Sequence, residues 1–311
     1  MLLSPAKLLQ TVTVVLCFYH QIIFASFSPL VDFGDNPGEI SASLYATQPS
    51  SDGLVVLLHG CVQQGEQLAK QSGFVDLAHA HKFALLVPQQ SERNNIKGCF
   101  NWFSEQDILS NSGESLSLKN MILHAKNKLN ASQVYITGLS AGGAMASVML
   151  VNYPELFDAG AVISGVPYPC ANNLTKAISC MRIGPTQLSN ELTEQVRALN
   201  NYQGPWPSMS VWTGSQDKVV NPKNSQSLAE HWAQLIGLPA NKKMELNQGY
   251  RVTRWGSTDD SKVELLEIDN MTHGMAVNPA IEHGGSVAPF LLKSPLSTAK
   301  SLINFWGLDK Y

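Results

Sequence analysis

A neutral hydroxyl attacks a carbonyl only when something removes its proton, so a serine at a strained, glycine-flanked turn is the first residue type to seek. Gly138, Leu139, Ser140, Ala141 and Gly142 form a G-x-S-x-G sequence, between an apolar strand-like run, Gln133 to Thr137, and a helix-like run, Ala141 to Asn152. Small residues are required there because neighbouring backbone passes close to the turn, and Gly138, Ala141, Gly142 and Gly143 supply them. Ser140 is the candidate nucleophile.

A base and an acid to orient it should follow Ser140 in the chain if the surrounding fold is of the α/β-hydrolase type. Met209 to Thr213 reads as a buried strand and opens into Gly214, Ser215, Gln216 and Asp217, which makes Asp217 the candidate acid. Asp259, Asp260 and Asp269 compete with it; the first two lie in a polar stretch that reads as an exposed hairpin turn. Val263 to Ile268 is another strand-like run, and the loop behind it carries His273, the candidate base, with His283 as the fallback. A third device ends the hydrophobic strand Leu54 to Leu58. In such a fold two backbone N–H groups bind the oxygen that turns negative: one from the residue after the nucleophile, here Ala141, and one from the loop His59, Gly60, Cys61, here assigned to Cys61. His59, at the head of that loop, and Trp102 are the candidate substrate-binding residues.

Three blocks carry a family likeness: Leu58 to Cys61 with Gln63 and Gln64 behind, Cys99 to Phe103 followed by Gly113 and Glu114, and Tyr135 to Met145. They resemble the extracellular polyhydroxybutyrate depolymerases and the related feruloyl and acetylxylan esterases, from about Leu54 to Cys180 and again around Asp217 and His273. The resemblance implies that Ser140, Asp217 and His273 form the family triad, that Cys61 supplies an oxyanion N–H, and that Trp102 lies near the substrate cleft. It implies hydrolysis of poly(3-hydroxybutyrate) or its oligomers, with feruloyl or acetyl esters of plant polysaccharide as the alternative. A reading of another class is a secreted binding protein that kept the fold and lost activity.

The elements that must position these residues are legible as apolar runs at Leu54–Leu58, Ala84–Val87, Gln133–Thr137, Gly160–Ser164, Met209–Thr213 and Val263–Ile268. They alternate with helical stretches at Gln67–His81, Leu116–Leu129, Ala141–Asn152, Ser225–Leu235 and Ser297–Phe305. Continuous apolar strands separated by helices predict an α/β fold, a mostly parallel sheet covered by helices on both faces. Residues 168–207 show no strand and read as a possible cap over the cleft.

The 311 residues are 44% hydrophobic and 14% charged, enough for one large core, and no linker or repeat divides them. Residues 26–311 read as a single catalytic domain. A net charge of −3 and a pI near 6.2 give no basic face for nucleic acid. Lys7 followed by the mostly apolar run Leu8 to Ala25 reads as a signal peptide, interrupted by Gln10, His20 and Gln21 and so ill suited to anchor the chain in a membrane. The expected location is therefore secreted or periplasmic. Without that leader, Cys61, Cys99, Cys170 and Cys180 remain, an even number in an oxidising compartment. Of three possible connectivities, Cys61 with Cys99 and Cys170 with Cys180 is favoured: the first ties the oxyanion loop to the aromatic block and the second closes a short excursion. No zinc-like spacing is present, and neither metal nor other cofactor is expected.

Overall fold

The computed structural model describes residues 26–256 and 262–310, so the leader, Asp259 and Asp260 lie outside the described residues. Six strands form the centre of the sheet: β3 (Gly53–Leu58), β4 (Ala84–Gln89), β5 (Gln133–Leu139), β6 (Ala159–Ile163), β7 (Ser208–Gly214) and β10 (Val263–Ile268). All six are parallel, in the order β4-β3-β5-β6-β7-β10. They are the six apolar runs of the sequence, because strands buried on both faces need no polar alternation. Antiparallel strands flank them: β1 (Ser28–Pro29) and β2 (Ser41–Tyr45) beyond β4, and β9 (Tyr250–Trp255) and β8 (Lys242–Asn247) beyond β10. A small parallel pair, β11 (Met275–Val277) with β12 (Leu291–Lys293), follows the sheet.

Side chains of the central strands alternate between two cores. Leu54, Val56 and Leu58 face one with α4 (Gly113–Leu129), α5 (Ala141–Asn152) and α8 (Lys223–Ile236). Val55 and Leu57 face the other with α1 (Gly65–Gln71), α2 (Phe74–His81) and α9 (Thr298–Trp306). The helix expected over Gln67–His81 is two helices, because Gly73 adopts φ +92° between them. A Cβ there would lie 2.4 Å from the carbonyl oxygen of His283, so only glycine lets the later loop pass.

Residues 168–207 hold α6 (Leu174–Ile183) and α7 (Ser189–Leu199), with the short α3 (Glu105–Ile108) earlier in the chain. Thr193 bonds the carbonyl of His231 on α8, and Asn200 bonds those of Val151 and Asn152, at the end of α5 remote from Ser140. These contacts run along the helical layer. Among the described residues no helix is long and apolar enough to cross a membrane.

The chain passes from β3 to β4 on one side and then crosses back to place β5 on the other side of β3. In open α/β sheets such a reversal leaves a crevice beyond the strand ends. The loop after β3 begins with His59 and the turn after β5 holds Ser140; Leu58 and Gly138 are register partners, so the two are side by side.

Candidate active site

Ser140 sits between β5 and α5 at φ +57° and ψ −117°, outside the ordinary regions for a side-chain-bearing residue. The turn is held by its N–H, which donates to the Ile163 carbonyl at 2.9 Å. Glycines make it possible: a Cβ on Gly138 would lie 2.3 Å from the Gly142 carbonyl oxygen, and one on Gly142 2.4 Å from that of Leu58.

His273 and Asp217 arrive from two loops stitched together. The N–H of Gln216 donates to the Met271 carbonyl at 2.9 Å, and that of Asn270 to Ser215 Oγ at 2.9 Å. A Cβ on Gly214 would lie 2.2 Å from the Met271 carbonyl oxygen, so the end of β7 must be glycine for the loops to close. The result is a relay: His273 Nδ1 lies 2.7 Å from Asp217 Oδ2 and Nε2 lies 2.8 Å from Ser140 Oγ. An ionised carboxylate only accepts, so Nδ1 carries the proton and Nε2 is left to accept from the serine hydroxyl. Asp217 is buried, and its other oxygen accepts the N–H groups of Val219 and Val220, both at 2.9 Å. Such an arrangement can take a proton from Ser140 and stabilise the resulting imidazolium. The competing residues are elsewhere: Asp269 is exposed beside Gly249, and His283 pairs with Glu282 at 3.6 Å.

Gly60 brings the loop after β3 against the serine; a Cβ on it would lie 3.4 Å from Ser140 Cβ. His59 corrects the sequence reading. Its side chain is fully buried and offers no surface to a substrate. Nε2 accepts the N–H of Gln90 at 3.0 Å, so Nδ1 carries the proton and donates to the Gly60 carbonyl at 2.7 Å. Burial holds its pKa below the ordinary histidine value, which keeps this neutral tautomer. A trans peptide points its C=O and N–H in opposite directions, so gripping the Gly60 carbonyl also fixes the Cys61 N–H. Trp102 is 8% exposed and packs edge-on against Phe103, which leaves little of the ring for contact with substrate.

Both favoured disulfides form, Cys61–Cys99 and Cys170–Cys180. The first spans 38 residues and, with the Val62 N–H donating to the Lys97 carbonyl at 2.7 Å, pins the loop carrying the Cys61 N–H. Replacing both cysteines by serine is expected to lower stability by about 4 kcal/mol from loop entropy. Because the sequence assigns an oxyanion donor to Cys61, the change should also lower kcat more than it raises KM, by less than the roughly 100- to 1000-fold typical for loss of such a donor. Thermal melts and steady-state kinetics check both.

Sequence reasoning missed what supports this loop from below. Glu114 is buried; one carboxylate oxygen accepts from Gln90 Nε2 and the other from the Asn101 N–H at 2.9 Å. It thereby joins the residue that holds His59 to the block containing Cys99. Burial pushes its pKa from 4.5 up to about 8, against the downward pull of the Asn101 and Gln90 bonds. The folded protein thus retains a proton that the unfolded chain has lost, and stability present below pH 4.5 declines as pH rises through about 8. Glu114→Gln, which mimics the protonated acid and cannot ionise, is expected to flatten that decline. Urea midpoints at pH 5 and pH 8.5 for both proteins measure it.

Comparison with known proteins gives this geometry its context. The sequence profile of the family described as esterase PHB depolymerase matches residues 44–244. The chain is 32% identical over 312 aligned positions to poly(3-hydroxyalkanoate) depolymerase C of Paucimonas lemoignei, covering 97% of this chain and 75% of that one. It is 31% identical to a probable acetylxylan esterase A of Aspergillus clavatus, over 74% of this chain and 79% of that one. Among solved structures, the acetyl xylan esterase from Aspergillus awamori superposes with a TM-score of 0.76 at 25% identity, covering 91% of this chain and 99% of that one. With an α/β-hydrolase sheet and a profile match over most of its length, the chain belongs to the esterase PHB depolymerase family.

Proposed function

We propose that the protein is a secreted serine esterase that hydrolyses poly(3-hydroxybutyrate) or its oligomers. The relay Ser140–His273–Asp217, with contacts of 2.8 and 2.7 Å, carries the reading. His273 takes the Ser140 proton as Oγ attacks the ester carbonyl, and Asp217 holds the imidazole and stabilises its charged form. The N–H groups of Ala141 and Cys61 bind the carbonyl oxygen as it turns negative. The tetrahedral intermediate expels the alcohol end of the cleaved ester, protonated by His273, and leaves an acyl group on Ser140. Water, deprotonated by the same histidine, then attacks the acyl-enzyme and releases the acid. The leader and the two disulfides support secretion into an oxidising compartment.

The likeness to the Aspergillus awamori structure favours a second reading, deacylation of a plant polysaccharide. The discriminating assay presents amorphous poly(3-hydroxybutyrate), acetylated xylan and a feruloyl ester to the mature protein in parallel. Release of soluble 3-hydroxybutyrate is the expected result. Turnover of the carbohydrate esters without the polymer would keep the mechanism and transfer the substrate.

A further inference from the structure

Eleven non-glycine residues among those described have a positive φ, and nine are polar or charged: Asp32, Glu39, Lys82, Asn111, Asn130, Ser140, Ser164, Asn270 and His283. The two apolar ones are Val62, at φ +58°, and Phe290, at φ +63°. A β-branched or bulky side chain is disfavoured in that region, where glycine or asparagine is tolerated. Strain of this kind persists where the surroundings impose it, and an observed outlier is grounds for a functional hypothesis.

Both residues lie on loops that carry or flank site residues. Val62 follows Cys61, on the loop whose Gly60 abuts Ser140, and is 63% exposed. The Phe290 ring lies edge-on to the His273 imidazole, with centroids 6.4 Å apart and planes at 78°, and is 38% exposed. A third exposed apolar side chain, Val219 at 46%, rises from the turn whose N–H groups hold Asp217. Each of the three loops that supply the oxyanion donor, the acid and the base's neighbour therefore offers an exposed apolar side chain.

We propose that Val62, Val219 and Phe290 form an apolar collar around Ser140 that binds the alkyl part of an aliphatic hydroxyacyl ester. This deepens, and rests on, the reading of Ser140 as the nucleophile. None of the three side chains can hydrogen-bond a sugar hydroxyl, so a hydroxyl-rich substrate pressed against the collar would lose water without replacement. A polyester of 3-hydroxy acids presents alkyl groups and ester oxygens with no hydroxyl donors along the chain, and gains from burial there.

The test is the acyl-length selectivity, kcat/KM for p-nitrophenyl butyrate divided by that for the acetate. Val62→Asn and Phe290→Asn suit the left-handed backbone, so their melting temperatures should equal or exceed that of the wild type. The selectivity of each is expected to fall about tenfold, since a methylene in an apolar pocket is worth tenfold or more. Phe290→Leu should keep most of it. Val219→Ser, at an ordinary backbone position, reads the same ratio if an Asn variant fails to fold. An unchanged ratio in the folded variants, or a wild type that prefers the acetate, overturns the collar. Ser140→Ala assayed alongside separates the two levels: turnover near the wild-type rate there would overturn the nucleophile assignment, whereas a loss of about a millionfold with an unchanged ratio elsewhere removes only the collar.

Discussion

Ser140→Ala is expected to lower kcat on any ester by about a millionfold, to a residue of catalysis supplied by the backbone donors and binding alone. The size follows from the chemistry: without Oγ there is no covalent intermediate, and His273 and Asp217 lose the atom they serve. KM should change little, because replacing the hydroxymethyl side chain by a methyl leaves the cleft walls in place. Stability should rise or hold, since Ser140 already occupies φ +57° and ψ −117° and alanine makes the strained turn no worse. Turnover of p-nitrophenyl butyrate by stringently purified protein checks the rate, and a melt checks the fold.

Asp217→Asn should cost about 10⁴ in kcat while leaving the loops closed. The carboxylate does two jobs at once. Oδ2 accepts the His273 Nδ1 proton at 2.7 Å, which selects the tautomer with Nε2 free. Oδ1 accepts the Val219 and Val220 N–H groups at 2.9 Å, and this half survives if asparagine keeps its oxygen there. The amide NH2 then faces His273 and, being a donor, calls for the opposite tautomer, with Nε2–H turned on the serine hydroxyl. Loss of kcat with little change in melting temperature is the expected pair of results. A large fall in stability with modest loss of kcat would instead mark Asp217 as a structural residue of the turn.

How far these features were legible in the sequence depends on how local their causes are. The six central strands could be read because burial on both faces writes itself as an unbroken apolar run. β8, Lys242 to Asn247, could not: it is a mostly exposed edge strand, KKMELN, with no alternation to betray it. The Ser140 turn was legible because its glycines are clustered in the chain, although only the requirement at Gly138 is local, set by Gly142, while that at Gly142 is set by the Leu58 carbonyl from the neighbouring strand. Asp217 and His273 were legible because each follows a strand end in the expected chain order.

The role of His59 was not legible. It depends on which ring nitrogen is protonated, and that is set by the Gln90 N–H, 31 residues away in sequence and brought close by the β3–β4 pairing. Glu114 is similar, a polar residue on a helix whose burial and partners are tertiary facts. Residues 168–207 read from the sequence as a possible cap; they bond α8 and the far end of α5, and also the segment just after Asp217, where the Asn221 N–H donates to the Met181 carbonyl at 2.8 Å. Phe290 carries no sequence signal, since both its left-handed backbone and its contact with His273 arise from the fold of the last loops.

The central claim is that one serine, activated by one histidine, is the nucleophile. Its most direct test is stoichiometric labelling with a fluorophosphonate, followed by peptide mass spectrometry, on wild type and His273→Ala. The expected result is one adduct per chain, on Ser140, formed in step with loss of esterase activity and slowed by orders of magnitude in the histidine variant. An adduct on another residue, or full activity after Ser140 is labelled, would contradict it.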